Sequence, residues 1–484
     1  MNFYFEASEI LNRLDAKEGS IKGILATLPE NNRSRTAALV IETLKYKSVL
    51  SDVIQASKLL TEERKKINSL NLALVLVHDI LLSNGIQAGD GPIKQAILRH
   101  KTRLKSELQR IKIKRGVKSD LELAQTSDDR AAKIPRYVRV NTLMWSTEEA
   151  IVFYTKCGFQ LQGPFASRSA MLLMSSACLS KGFGTDEHIP DLLAFNPASQ
   201  FRDDPSYKTG KIILQDKASC FSAFVLSPPC NDPNAVVIDA TAAPGNKTSH
   251  LSALMGNKGK LYAFEKDKRR FSTLKMMLAK AACRNVETVN ADFLTIDPSH
   301  PKYSLATHIL LDPSCSGSGI VNRLDYLLED GESQTEMVEE DRLNKLATFQ
   351  LMMIKHAMKF PHVQKIVYST CSIHATENEH VVNHALQSDE AKRSHFKLAP
   401  RNDVLPTWNR RGQAEEMRGT DDADSLVRCS PGEDGTNGFF VSCFIREHNS
   451  VLPQTKPSKK RKGETEGVAP EKRKKKRKKK VKTE

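Results

Sequence analysis

Four acidic residues, Asp239, Glu265, Asp292 and Asp312, each close a short apolar run, at intervals of 26, 27 and 20 residues. An interval of that size holds one strand, one helix and the turns between them, so this stretch is constrained to repeated βα units. The alternation runs from Ile212 onward: IILQ, VVIDA, KLYAFE, VETVNAD, HILLD, a long helical stretch near 341–360, KIVYS and finally GFFVSCFIR. Such a pattern implies a doubly wound, mostly parallel sheet covered by helices on both faces. Ligands of these sheets sit outside the carboxyl ends of the strands. A single strand-terminal Asp often just caps a helix. Four in register argue for a pocket.

The first of these strands runs into a small-residue turn, VVIDATAAPGNKTSH. Ala242, Ala243 and Gly245 permit close approach of a ligand, and Pro244 stiffens the turn. Glu265 lies where a carboxylate accepts both hydroxyls of a ribose, and Asp292 is placed to bind an adenine amino group. The chain has neither GxGxxG nor GxxxxGK[ST], so the usual pyrophosphate or triphosphate cradle is missing. A zwitterionic, adenosine-bearing ligand such as S-adenosylmethionine suits this turn better.

Two further strand ends carry cysteines, Cys315 in HILLDPSCSGSG and Cys371 in KIVYSTCSIHATENE. Both sit among polar, turn-forming residues, and two thiols aimed into one pocket suggest covalent chemistry on a bound substrate. Cys157, Cys178, Cys283, Cys429 and Cys443 read as small buried hydrophobes. Cys220 and Cys230 show no chemistry. Nine cysteines without a CxxC pair argue against a disulfide scaffold or a thiolate metal site and fit a reducing compartment.

The remaining chain divides by composition. Residues 1–130 read as a helical region, and LNLALVLVHDILL, carrying His78 and Asp79, reads as a buried helix and not a membrane span. The opening MNFYFEASEILNRLD lacks a basic stretch followed by an apolar one, so no signal peptide is expected. Between Lys94 and Lys118 there are ten Lys+Arg and one Glu, a run that serves either as a solvated face or as an RNA-backbone contact. PRYVRVNTL reads as a strand opening a small α+β module, 131–205, with the larger domain at 206–450. Residues from Asp325 to Asp341 read as an exposed acidic loop. The net charge of +16 is concentrated: 15 Lys+Arg against 4 Glu from Val451 onward leave +11 in the tail and +5 elsewhere. Such a tail, 451–484, is disordered by self-repulsion and is either a nucleic-acid contact and nuclear address or a merely solvated end.

DATAAPGNKTS, DPSCSGSG and YSTCSIHATENE together resemble the motifs of the Sun (Fmu-type) family of RNA cytosine-5 methyltransferases, with QDKAS (215–219) and GFF (438–440) matching in order. The resemblance covers roughly residues 130–447. The helical N-terminus ending in HKTRLKSELQRIKIKRGVKS is most similar to the eukaryotic branch that acts on large-subunit ribosomal RNA.

The resemblance implies a Rossmann-like methyltransferase sheet preceded by an RNA-positioning module. Its methyl donor would be S-adenosylmethionine, held by Thr241, Ala242, Ala243, Pro244, Gly245, Asn246 and Lys247 with Glu265, Arg270, Asp292 and Asp312. For Arg270, a surface arginine is the competing reading. Position 241 is Thr where many family members have Cys. Cys371 would be the nucleophile toward carbon 6 of cytosine, which requires stabilising a thiolate whose ordinary pKa is about 8.5. Cys315 would help break the adduct, Asp312 would hydrogen-bond the base, and Lys247 would place positive charge beside that carboxylate.

DNA cytosine-5 methyltransferases place the nucleophile in a Pro-Cys motif, so a second cysteine in STC points to RNA. Ribosomal RNA, free or in a pre-ribosomal particle, is the expected partner of a monomeric nuclear and nucleolar protein without metal or membrane. The alternative is an RNA-binding assembly factor whose chemistry is dispensable.

Overall fold

A computed structural model describes residues 1–125, 128–165, 181–321, 324–328, 336–417 and 420–447. The basic tail, Cys178 and residues 329–335 of the acidic stretch lie outside the described residues.

The N-terminal region is helical, as its apolar spacing requires. Helices Asn2–Asp15, Glu30–Lys45, Lys47–Ala56, Leu70–Leu82 and Lys101–Arg115 contribute to one core that includes Tyr4, Leu11, Val40, Leu50, Leu74 and Leu104. Leu70–Leu82 is the central helix, buried continuously from Asn71 to Ile80. It tolerates buried polar groups because they pair. The Tyr4 hydroxyl donates to Asp79 Oδ2 at 2.6 Å and accepts the Gln87 N–H at 2.7 Å, while His78 Nδ1 lies 3.1 Å from Asp79 Oδ1. Among the described residues no helix is long and apolar enough to cross a membrane, and no cluster of His, Cys, Asp and Glu could hold a metal ion.

The basic run at 94–118 is largely neutralised. Lys94, Arg99, Arg103, Arg110, Lys112 and Arg115 pair with Asp90, Glu63, Glu62, Glu107, Asp120 and Asp52 at 2.6–3.2 Å. Three of these pairs, Arg99–Glu63, Arg103–Glu62 and Arg115–Asp52, tie the run to earlier parts of the helical region, which weakens its reading as a dedicated phosphate contact.

A five-stranded sheet follows: β1 (Arg136–Val140), β2 (Gln160–Phe165), β3 (Gly182–Asp186), β4 (Leu192–Phe195) and β5 (Ile212–Leu214), in the order β2-β3-β4-β1-β5. Helix Thr147–Lys156, opened by a Ser146–Glu149 capping box, contributes Tyr154 to an aromatic core with Phe159, Phe183, Phe195 and Phe201. Here the structure corrects one expectation. The alternation from Ile212 onward places IILQ in the larger sheet, but β5 pairs antiparallel with β1, Val138 opposite Leu214. A short apolar run does not reveal which sheet edge it completes.

The larger sheet contains β6 (Val236–Asp239), β7 (Lys260–Phe264), β8 (Val286–Val289), β9 (His308–Leu311), β10 (Lys365–Thr370), β11 (Phe396–Leu398), β12 (Val427–Cys429) and β13 (Phe439–Arg446). Its order is β11-β13-β10-β9-β6-β7-β8, with β12 on β13. The pairs β6–β7, β7–β8, β6–β9 and β9–β10 are parallel, and β13 is antiparallel to its neighbours. This is the doubly wound sheet that the acidic spacing predicted. Its central strands β6, β9 and β10 are buried over all but their first residue because helices pack against them. Chain order reverses between β6 and β9, and the loops leaving their carboxyl ends diverge there to open a cleft.

The acidic stretch after β9 is not simply an exposed loop. A short turn of helix, Leu324–Leu328, buries Leu327 in the N-terminal core, with Leu324 and Leu328 packed against it. The long helix then begins at Glu336 and ends at Ala357. The acidic composition concealed three leucines that pin this segment to the N-terminal helices. Cys157 is exposed, against the expectation of a buried hydrophobe, Cys283 is half-buried, and Cys220, Cys429 and Cys443 are buried.

Candidate active site

Because β9 and β10 run side by side in register, Leu311 opposite Tyr368, the loops beyond them are neighbours. The Sγ atoms of Cys315 and Cys371 stand 3.0 Å apart without a disulfide. Cys315 is held well above the usual thiol range, first by its hydrogen bond to Cys371, then by burial and by the charges of Cys371, Asp312 and Glu377.

Asp312 and Lys247 meet beside the thiols. Lys247 Nζ lies 2.9 Å from Asp312 Oδ2 and donates to Ser219 Oγ at 2.9 Å, over the ring of Phe439 at 5.2 Å. Burial alone would lower the Lys247 pKa, but the Asp312 charge and hydrogen bond outweigh it and raise it. The residue therefore stays a cation. The Ser369 hydroxyl donates to Asp312 Oδ1 at 2.8 Å. The Asp312 N–H donates to Thr241 Oγ1 at 3.0 Å, so the residue that departs from the family pattern ties the β6 turn to the β9 loop.

On the other side of the cleft, Gly245 has φ +113°, a conformation that disfavours any side chain, and an added Cβ would lie 3.3 Å from Leu274. Ala242 and Ala243 are buried, Pro244 is exposed, and the Asn246 carbonyl accepts from Ser249 Oγ at 2.9 Å. Glu265 is buried; its Oε1 accepts the Asp267 N–H at 2.8 Å and its Oε2 faces Arg270 at 3.5 Å. Arg270 also donates to the Ala243 carbonyl at 2.7 Å. The competing readings of Arg270 thus merge: a half-exposed arginine that braces the turn against the carboxylate. Asp292 Oδ1 accepts the Leu294 N–H at 3.0 Å, and Oδ2 lies 3.6 Å from Lys266. Asp239, the fourth acid, turns inward. Burial raises its pKa to about 6 despite hydrogen bonds from Thr248 Oγ1 and the Thr241 N–H, so it supports the turn from beneath.

Several residues that shape the cleft escaped the sequence reading. The TENE run after Cys371 places Glu377, Asn378 and Glu379 fully inside the protein. Glu377 Oε1 accepts from the Ser316 N–H at 2.9 Å and Gln350 Nε2 at 3.0 Å, and Oε2 accepts from Ser316 Oγ at 2.6 Å. Asn378 accepts from Thr370 Oγ1 and donates to the Ser372 carbonyl, bracketing Cys371. Glu379 forms a two-pronged pair with Arg428 at 2.5–2.6 Å. Gly319 and Gly438 lie so close that a Cβ on Gly319 would fall 2.3 Å from the Gly438 carbonyl oxygen, and the Gly319 N–H donates to the Cys371 carbonyl at 2.9 Å. Three consecutive polar residues beside a thiol were the available signal.

QDKAS proves to be a junction. Gln215 accepts from Arg139 at 2.8 Å, Asp216 accepts from Asn437 Nδ2 at 2.8 Å, Lys217 pairs with Asp186 at 2.5 Å, and Ser219 receives Lys247. Arg139, fully buried on β1, also donates to Ser249 Oγ at 2.8 Å and to the Asn246 carbonyl at 3.2 Å. A strand of the small sheet thereby grips the helix that carries Lys247. Nothing in PRYVRVNTL singled out this arginine.

Residues 223–445 match the family model of the 16S rRNA methyltransferases RsmB/F. Residues 35–124 and 134–215 match the N-terminal and ferredoxin-like domains of NOL1/NOP2/Sun domain family member 5. The chain is 41% identical over 459 residues to a 28S rRNA (cytosine-C(5))-methyltransferase of Mus musculus, covering 94% of this chain and 93% of the relative. It is 41% identical to the 25S rRNA (cytosine-C(5))-methyltransferase rcm1 of Schizosaccharomyces pombe, with 91% of each covered. The crystal structure of the protein designated PH0851 superimposes with a TM-score of 0.59 at 20% identity, covering 91% of this chain and 97% of that one, a likeness of fold.

Proposed function

This chain belongs to the Sun (Fmu-type) family of RNA cytosine-5 methyltransferases, and from that premise we propose that it methylates large-subunit ribosomal RNA through a covalent adduct of Cys371. The large-subunit substrates named for its relatives support that choice. The observation that carries the chemistry is the pair of thiols 3.0 Å apart beside the Lys247–Asp312 ion pair.

Carbon 5 of cytosine is too weak a nucleophile to take a methyl group directly. The Cys371 thiolate adds to carbon 6 and turns carbon 5 into the nucleophilic end of an enamine. Asp312 accepts a hydrogen bond from the Watson–Crick edge, and the Lys247 ammonium balances its charge in a water-poor site. After transfer, carbon 5 bears both the methyl group and its original proton. Loss of that proton to solvent, with cleavage of the carbon 6–sulfur bond, restores the ring and returns Cys371 as a thiolate. The Cys315 S–H donates to that sulfur as it leaves. The base must first leave its stack, at a cost of a few kcal/mol, lowest in a loop or single strand.

S-adenosylmethionine supplies a methyl group on a sulfonium when bound. The residues at the ends of β6, β7 and β8 fit it: a small-residue turn without a phosphate cradle, the Glu265 carboxylate for the ribose hydroxyls, and Asp292 for the adenine amino group. We read the division as 1–130, a second module whose expected end at 205 moves to 215 because β5 completes its sheet, and a larger domain from there to 450, with the 451–484 tail as a nucleolar address.

Bisulfite sequencing of total RNA from cells with and without the protein tests the substrate. Loss of protection at one or a few large-subunit cytosines is expected. Loss confined to another class of RNA would contradict it.

A further inference from the structure

Two thiols at 3.0 Å cannot share one role, yet both are cysteines in similar loops. The groups acting on Cys315 from the elements around it are Cys371, Asp312 and Glu377, and Tyr368 lies within reach of the same charges. Asp312 is answered by Lys247, which also feels Cys371 and Asp239. Glu377 is different. Its hydrogen-bond donors, Ser316 and Gln350, are neutral, and its own carbonyl accepts from the Tyr368 hydroxyl at 2.6 Å. Two residues on, Glu379 is just as buried but has its charge cancelled by Arg428. Among the described residues the hydrogen bonds to the Glu377 carboxylate come from Ser316 and Gln350 and from no basic side chain, and a negative charge there would disfavour a second anion nearby.

We propose that Glu377 is a positioning residue for the thiol pair: it fixes the Cys315 loop through Ser316 and keeps the proton on Cys315, so that Cys371 is the thiol left to attack. The proposal rests on the roles given above to the two cysteines. It explains why Ser316 is bonded through both its N–H and its hydroxyl to one carboxylate. The loop is anchored one residue from the thiol it carries. It also equips Cys315 to donate to the departing Cys371 sulfur.

The test is a pH titration of Cys315 alkylation by iodoacetamide, read by peptide mass spectrometry on the full-length chain. In a Cys371→Ser background, adding Glu377→Gln should lower the Cys315 midpoint. Ser316→Ala, which loosens the loop but keeps the charge, should leave the midpoint high. An unchanged midpoint in Glu377→Gln overturns the proposal, as does an equal drop in Ser316→Ala, which would make the effect positional alone. Should Glu377→Gln fail to fold, the unaltered protein decides: Cys371 must be alkylated at lower pH than Cys315, and coincident labelling overturns the proposal. The titration uses neither RNA nor methyl donor. Its failure is therefore distinct from an absent bisulfite signal, which would remove the substrate reading and leave the titration standing.

Discussion

The two halves of the cleft, which we assign to the methyl donor and to the base, are built differently. On the donor half, each acid is held by its own neighbourhood: Glu265 by the Asp267 N–H and Asp292 by the Leu294 N–H, each two residues on. On the base half, the supports come from far along the chain. Ser316 meets Glu377, Asp312 meets Lys247 and Ser369, and Asp216 meets Asn437 across 221 residues. Local caps engage one oxygen of each carboxylate and leave the other, Glu265 Oε2 or Asp292 Oδ2, facing a basic side chain that a small ligand can displace each cycle. Distant, buried bonds fix thiols that must meet a base at one geometry. Binding tolerates play; covalent attack does not.

Removing the proposed nucleophile should separate the halves most sharply. Cys371→Ala should reduce methyl transfer by at least a thousand-fold, the order expected when a covalent step worth several kcal/mol is lost. S-adenosylmethionine binding by calorimetry should stay near normal. A variant with a tenth of normal turnover would move the attack elsewhere.

Lys247→Met tests the charge beside the thiols. It leaves Asp312 partly buried without its cation, and turnover should fall by about a hundred-fold with little change in donor affinity. A fall in affinity alone would assign Lys247 to the donor half. Conversely, Glu265→Ala should weaken the donor by roughly 1.5–3 kcal/mol in calorimetry while turnover at saturating donor stays within a few-fold. Unchanged affinity would pass the ribose contact to Asp292.

The smallest effect concerns Asp239, beneath the boundary of the two halves. Its pKa is raised by burial to about 6, above the unfolded value of about 4. The folded state therefore binds the extra proton between those values, and stability falls as pH rises from about 4 to about 6. Asp239→Asn should escape that loss, by on the order of 1–2 kcal/mol. Because buried His250, depressed by burial and by Arg139, loses stability in the opposite direction on acidification, the comparison is the difference between variant and unaltered protein in urea midpoints at pH 4.5 and 7. A constant difference would mean that Asp239 does not titrate in this range.

The same contrast explains what could be read before the fold was known. Strand-end acids, the small turn and the two thiols are local signals, since each announces itself by its neighbours in the chain. A doubly wound, mostly parallel sheet followed from their spacing; its strand order did not. Arg139, Glu377 and the Leu324–Leu328 turn were invisible because their meaning lies in side-chain partners 27 to 110 residues away or in another domain's core. The period of a strand says that Arg139 is on β1, not that it reaches the Lys247 helix. The misassigned β5 has the same origin: three apolar residues say strand and leave the partner open.

The two-cysteine mechanism itself is tested most directly by trapping. Cys315→Ala, Cys371→Ala and the double variant would be incubated with labelled large-subunit RNA and S-adenosylmethionine, then resolved on denaturing gels. If the Cys315 S–H assists departure of the Cys371 sulfur, Cys315→Ala accumulates a covalent RNA–protein band that neither variant lacking Cys371 forms. Equal bands from both single variants, or none from Cys315→Ala, would contradict the division of labour between the two thiols.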